Sequence, residues 1–360
     1  MSELTQVVQP PQSPSEAPPQ PPSVFIPPDD DQTYDKMALR PYSLAQKIHG
    51  ALKYAWVRLR GGPMLVNMEV THFCNASCDF CDFWKTERSG KLRDYDYIDA
   101  IKQLNPLCVT LTGGEPTINK QLPEVVREIK SSVGFIYLGM VTHGSLLTME
   151  KAAALWDAGI DQIAISLNYI GREHDEERGI DGLFDHLNTL IPQMTAYGIN
   201  VVLNTVIMRD NLDHIIPVAH QAREWGAKIS FSCYSDFKNG NESHLIDSDH
   251  IEQVEQLIDD ILVLKPKLGN IISSRYFLRG IPNYFKNTMP STCEAAGKWL
   301  VQLTPDGDVQ PCPELPVSSH YSDFKSISKP IECDRCWYSC RGETQASLTF
   351  ERVKELLGRV

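Results

Sequence analysis

From residue 64 onward the chain alternates short apolar runs with longer stretches whose apolar residues recur every three or four positions. The runs are MLVNMEVT (64–71), LCVTLTG (107–113), FIYLGMVT (135–142), QIAISLN (162–168), NVVLNTVIM (200–208) and KISFSCY (228–234). Each has strand length, while LPEVVREIKSS and TMEKAAALWDAG between them carry a helical period. Repeats of this kind predict a parallel α/β sheet, open or curled toward a barrel, and six repeats fall short of a closed eight-stranded one. The residues with chemistry stand where strands end: a cysteine loop after the first, GGEP after the second, THG after the third and SLN after the fourth. In parallel α/β folds those ends form the ligand-binding rim, so four loops are expected to converge.

Upstream the pattern changes twice. Residues 1–32 hold nine prolines and few large apolar groups, which predicts a disordered tail. In YSLAQKIHGALKYAWVRLRGG (42–62), Leu44, Ile48, Leu52, Trp56 and Leu59 recur at helical spacing, and Lys47, Lys53, Arg58 and Arg60 add positive charge. Two readings stay open: a helix packed on the catalytic domain, or a helix for a membrane surface or a partner.

The 360 residues, 42% of them hydrophobic, suffice for one large domain and a smaller one. A formal charge of −12 argues against nucleic acid as partner. No run is apolar enough to span a bilayer, and the first residues lack the basic and apolar regions of an export signal. The ten cysteines therefore read as ligand sets in a reducing cytoplasm, with peripheral contact at the inner membrane surface through residues 42–60 as an added expectation.

Within HFCNASCDFCDFW (72–84), Cys74, Cys78 and Cys81 fall in eight residues. Zinc ribbons bring two C-x-x-C knuckles or histidines, and His72 stands too near Cys74 to be more than a loop residue. A redox dithiol leaves one thiol unused. Three thiolates suit an iron–sulfur cluster with one iron open to a reactant. CNASCDFC, with Phe80 before its last cysteine, resembles the C-x3-C-x2-C signature of the radical S-adenosylmethionine (radical SAM) superfamily, and GGEP follows the next strand as that family requires.

The resemblance covers about residues 64–345. It implies a partial (β/α)6 TIM-like barrel and a [4Fe-4S] cluster held by Cys74, Cys78 and Cys81. S-adenosylmethionine (SAM) would chelate the remaining iron and yield a 5'-deoxyadenosyl radical on reduction, with a flavodoxin- or ferredoxin-type protein as donor. Gly113, Gly114, Glu115 and Pro116 are the implied cosubstrate loop. Thr142 and His143 stand where relatives carry T-x-N-G, with histidine replacing asparagine. Ser166 and Asn168 are implied contacts to the ribose and methionine, Arg178 to the methionine carboxylate, and Phe80 a cover for adenine or cluster.

A second constellation holds Cys293, Cys312, Cys333, Cys336 and Cys340. LVQLTPDGDVQPC reads as a hairpin turning at Pro305-Asp306-Gly307, which folds Cys312 back toward Cys293. Zinc is the structural alternative for CDRC. The Gly307-to-Cys312 spacing before C-x2-C resembles the auxiliary-cluster (SPASM or twitch) extensions of the same superfamily. That implies one auxiliary iron–sulfur cluster, most simply [4Fe-4S], on Cys293, Cys312, Cys333 and Cys336, with Cys340 as a substitute or free thiol. Cys108 reads as a small core residue. Cys233, at the sixth strand's end, reads first as a packing residue, with hydrogen donation to a product radical as the alternative, and Tyr234, Asp236 and Asn204 are candidate substrate contacts.

The predicted organisation is a tail (1–32), a basic amphipathic helical segment (33–63), the partial barrel (64–240), a helical bridge (241–284), a small C-terminal auxiliary-cluster domain (285–345) and a terminal helix (346–360). The predicted function is hydrogen abstraction from a small-molecule or lipid-like substrate. A peptide is the alternative substrate, and an iron–sulfur electron carrier the non-enzymatic one.

Overall fold

The structure is a computed structural model that describes residues 40, 42–85, 96–237, 239–327 and 329–358. The tail read over residues 1–32 lies outside them. Helix α1 (Leu44–Arg60) is capped by Ser43, whose hydroxyl accepts from Gln46 N while Gln46 Oε1 accepts from Ser43 N.

Six strand–helix repeats follow: β1 (Leu65–Thr71), α2 (Tyr97–Leu104), β2 (Cys108–Gly113), α3 (Leu122–Ser132), β3 (Tyr137–Thr142), α4 (Met149–Ala158), β4 (Gln162–Ser166), α5 (Arg172–Arg178), α6 (Leu183–Ala196), β5 (Val201–Ile207), α7 (Ile215–Glu224) and β6 (Lys228–Cys233). Helix starts and stops follow local chemistry. Asp96 caps α2 and Thr148 caps α4, while Gly159 ends α4 in the left-handed region at φ 113°.

The six strands are parallel and lie side by side in chain order, with no pairing of β6 to β1 among the described residues, so the partial (β/α)6 architecture is observed. Alternation divides the sheet. One face (Val66, Met68 and Val70 on β1, Leu138 and Met140 on β3, Ile229 and Phe231 on β6) packs under helix residues such as Leu187, Ile191 and Val218 to form the core. The opposite face is largely polar: Asn67 and Glu69 on β1, Thr110 and Thr112 on β2, and Ser166, Asn204 and Ser230, which align across β4, β5 and β6. A polar inner face in a sheet whose outer face is the core marks the ligand side.

After β6 come α8 (Ile251–Leu268) and α9 (Arg275–Phe285), then β7 (Thr292–Cys293), β8 (Leu300–Leu303), β9 (Asp308–Gln310), β10 (Ser319–His320), β11 (Ile331–Glu332), α10 (Ser339–Gln345) and α11 (Phe350–Gly358). Strand β8 adds parallel to β1, and β9 and β10 continue antiparallel, so the C-terminal segment extends the barrel's own sheet to nine strands. The β8–β9 hairpin turns at Gly307, φ 86°, where a side chain would meet His320.

Candidate active site

The loop with Cys74, Cys78 and Cys81 leaves the C-terminal end of β1 and is clamped from three sides. From β2, Glu115 N donates to Phe73 O (2.7 Å) and Gly114 N to Thr71 O (2.9 Å). Cβ atoms at Gly113 and Gly114 would lie 2.1 Å from Thr71 O and 2.0 Å from Phe73 O, so only glycine lets these segments touch. From β3, His143 Nε2 faces Asn75 Oδ1 at 3.1 Å, and Asn75 Nδ2 donates to Ser145 (3.0 Å). From α5, Ser77 N donates to Arg178 O (2.9 Å), beside Gly179.

Glu115 is fully buried. Its Oε1 accepts from Thr117 N (3.0 Å), the Thr117 hydroxyl and the Thr142 hydroxyl (2.6 Å), and its Oε2 from His143 N (3.0 Å). The carboxylate thus locks the ends of β2 and β3 together. Pro116 is buried and starts the turn that follows. Ser145 N donates to His143 Nδ1 (3.3 Å), which puts the ring proton on Nε2, toward Asn75 and Glu115. Burial, partly offset by Glu115, lowers the pKa of His143 and keeps it neutral.

Two implied ligand contacts are placed differently from the sequence reading. Arg178 is buried; it donates to Cys78 Sγ (3.5 Å), lies 5.1 Å over the Phe80 ring and pairs with Glu177 (3.3 Å). It therefore faces a thiol of the cysteine loop. Asn168 is also buried, accepting from Val206 N (2.9 Å) and donating to Glu177 Oε1 (2.6 Å). It joins β4 to β5 and α5, because the chain has left the strand and its side chain turns into the wall. Burial alone would raise the pKa of Glu177, but Arg178, His174 and Asn168 outweigh it and hold the carboxyl below its ordinary range. Ser166 stays half-buried on the inner face beside Asn204, which accepts from Ser230 (3.3 Å).

Burial pushes the Cys74 thiol up to about 11; Cys78 is raised by burial and partly restrained by Arg178. The fields of Cys78 and Cys81 reach Cys74, and that of Cys81 reaches Cys78. Three soft donors on one loop beside a cation, with Cys74 and Cys78 raised by burial, fit a polynuclear cationic iron cluster.

Cys233, the candidate hydrogen donor, stands on the core-facing row of β6. It is 1% exposed and continues the helix-facing row of Ile229 and Phe231, while Ser230 and Ser232 point the other way. Tyr234 is buried with its hydroxyl on Asn241 O (2.7 Å), and Asp236 pairs with Arg335 (3.3 Å). Several site residues escaped the sequence reading. Glu69, buried on the inner face, is held by Gln302 of β8 (2.7 Å) and His72 (3.1 Å). His244 bridges Asp79 (3.1 Å) and Asp210, edge-on to Phe80 and Tyr234. Neither has a local motif.

The second constellation converges. All five C-terminal cysteines line one cavity, with Glu314, Tyr338 and Arg341 among the other residues around it. The β7–β11 pairing sets Cys293 opposite Ile331, and Cys333 N donates to Ser291 O (2.9 Å). Burial raises Cys312 to about 12 and Cys336 to about 11, and raises Cys340. The donor set again suits an iron–sulfur cluster and exceeds the four ligands of a zinc ion.

Residues 68–222 match the model of the radical SAM superfamily. Among curated proteins, the chain is 30% identical over 269 residues to a probable GTP 3',8-cyclase of Metallosphaera sedula, spanning 69% of this chain and 80% of that one. It is 27% identical over 260 residues to the PqqA peptide cyclase of Methylocella silvestris, spanning 69% and 68%. Among solved structures, Streptococcus suis SuiB bound to its precursor peptide SuiA shares the fold at a TM-score of 0.56 and 15% identity, over 82% of this chain and 72% of that one. The chain belongs to the radical SAM superfamily. It is an enzyme of that family, which uses a [4Fe-4S] cluster and S-adenosylmethionine.

Proposed function

We propose that the protein is a radical SAM oxidoreductase that abstracts hydrogen from an unactivated C–H bond of a small-molecule or lipid-like substrate. The observation that carries this reading is the three-sided clamp on the three-thiol loop, set above a polar inner sheet face. Cys74, Cys78 and Cys81 would hold the cluster, which when reduced supplies the electron that breaks the sulfonium C–S bond of SAM. Gly113 and Gly114 bring backbone up to the cosubstrate. Thr142, His143 and Pro116 fix the position of Glu115, and Arg178 steadies Cys78 and Phe80. Ser166, Asn204 and Ser230 line the space where substrate is positioned, away from bulk water.

Cys293, Cys312, Cys333 and Cys336, with Cys340 as the fifth thiol, would hold an auxiliary cluster that takes up the electron left after hydrogen abstraction. A flavodoxin- or ferredoxin-type donor and a cytoplasmic setting complete the reading. A peptide is the second reading, supported by the similarity to a PqqA peptide cyclase and the fold shared with SuiB bound to a peptide.

The test is 5'-deoxyadenosine formation by anaerobically reconstituted protein given SAM and reductant, beside a Cys74/Cys78/Cys81→Ala variant. Cleavage by the parent alone, with iron retained in the variant, supports both sites. No cleavage by fully loaded protein, with cell extract added, overturns the enzyme reading. Substrate class is then decided by whether lipid extract or peptide increases turnover.

A further inference from the structure

The apolar stripe of α1 is turned outward. Leu44 is 75% exposed, Ile48 52%, Leu52 65%, Trp56 45% and Leu59 87%. At 3.6 residues per turn these five positions share an arc of about 120°, which Ala45 and Ala55 complete. Cationic side chains border both edges: Lys53 and Arg60 on one, Lys47 and Arg58 on the other. Between residues 42 and 62 there is no acidic residue, in a chain whose formal charge is −12.

The remaining face seats the helix and fixes that orientation. Gly50 lies against the Phe135 ring, where a Cβ would come within 2.7 Å, and Lys53 Nζ donates to Phe135 O (2.9 Å). Val57 is buried with Met64 and Trp299. Arg58 donates to Ala346 O (2.8 Å) and Thr344 O (3.1 Å) and lies 5.0 Å over Trp299. A groove beside the stripe is lined by Leu52, Trp56 and Phe135 with Lys53, Lys102 and His49. The segment that accepts from Arg58 runs on to Leu348 and Phe350, both exposed.

We propose that α1 is a docking helix for the surface of an anionic lipid bilayer, lying in the plane of the interface with Leu44, Ile48, Leu52, Trp56 and Leu59 among the acyl chains and Lys47 and Arg60 at the phosphates. An apolar arc opposite a seated face, bordered by cations on both sides, is what an interfacial helix requires. Among the described residues no helix is long and apolar enough to cross a membrane. A second copy of the chain fits less well, because pairing the same face would bring like-charged borders together. The inference stands apart from the radical chemistry, since lipid binding needs neither cluster nor cosubstrate.

The experiment is co-sedimentation of the whole protein with vesicles of phosphatidylcholine alone and of phosphatidylcholine with phosphatidylglycerol, in parallel with SAM cleavage. The parent should pellet with the mixed vesicles, less so as salt rises. The double variant I48E/L52E should lose binding by about tenfold or more while its circular dichroism, iron content and SAM cleavage match the parent. A second variant, K47E/R60E, should weaken binding only to the anionic vesicles. Absence of binding to either vesicle, binding that I48E/L52E leaves intact, or a dimer in sedimentation velocity that I48E/L52E abolishes would each overturn the proposal. Vesicle binding by protein that never cleaves SAM would retain it while removing the enzymatic reading.

Discussion

Replacing Gly114 by alanine puts one methyl group where the cysteine loop meets the GGEP turn. Its Cβ would stand 2.0 Å from Phe73 O, 2.3 Å from Phe73 C and 2.9 Å from Cys74 N, all backbone atoms that cannot rotate aside. Relief requires the loop to retreat by about an ångström, because real Cβ contacts do not fall below 3.0 Å. That movement breaks the 2.7 Å bond from Glu115 N to Phe73 O. Overpacking of ~1–3 kcal/mol plus a lost hydrogen bond of ~1 kcal/mol gives about 2–4 kcal/mol. Gly139 is the control: a Cβ there meets nothing closer than 3.8 Å, so G139A should stay within about 0.5 kcal/mol. The assay is thermal unfolding of the cluster-free chain, followed by iron per chain after anaerobic reconstitution. G114A should melt several degrees below G139A and bind less iron. If G114A melts and loads iron like the parent, the close contact between the two loops is not what seats the thiols.

Three further outcomes follow from neighbouring side chains. Arg178→Gln removes the cationic donor to Cys78 Sγ; with a charge-assisted bond of ~1.5 kcal/mol, the cluster's midpoint should fall by about 60 mV, and an unchanged midpoint in an EPR-monitored titration would refute it. His174 is buried with its pKa lowered by burial, so the unfolded chain takes up a proton below about 6.5 that the folded chain refuses. Stability should therefore be present above that pH and decline as pH falls, and H174Q should flatten the acid side of a urea-unfolding profile. Cys233→Ala should leave 5'-deoxyadenosine formation and substrate conversion unchanged; loss of conversion alone would restore Cys233 as a hydrogen donor.

The strands were legible because each is a short apolar run bounded by turns, and their observed limits lie within about two residues of the runs. The cysteine loop and GGEP were legible because their spacing is local. The side on which a strand-end residue falls was less so. Cys233 carried a usable signal, the Ile229–Phe231 row against Ser230 and Ser232, whereas Asn168 stands beyond the last residue of β4, where alternation stops informing. For α1 the period gives the helix but cannot tell a covered stripe from an open one. Pairings such as Glu69 with Gln302 join residues far apart in the chain, and nothing local announces them.

The mooring of CDRCWYSC bears on what the second cysteine site is for. Its Arg335 carbonyl accepts from Ser235 (2.8 Å) and Tyr284 (3.3 Å), and Ser339 N donates to the Ser232 hydroxyl (3.3 Å). Ser232 belongs to the inner-facing row of β6, and Ser339 immediately precedes Cys340. The five-thiol cavity is thus fastened to the very strand whose inner face lines the proposed substrate space, while β8 fastens the same segment to β1 at the other side of the sheet. A structural knuckle needs only to hold its own loop together. Attachment to both β1 and β6 would suit the proposed electron relay as well, and reduction of any iron held by these thiols during turnover is the signal that would separate relay from scaffold.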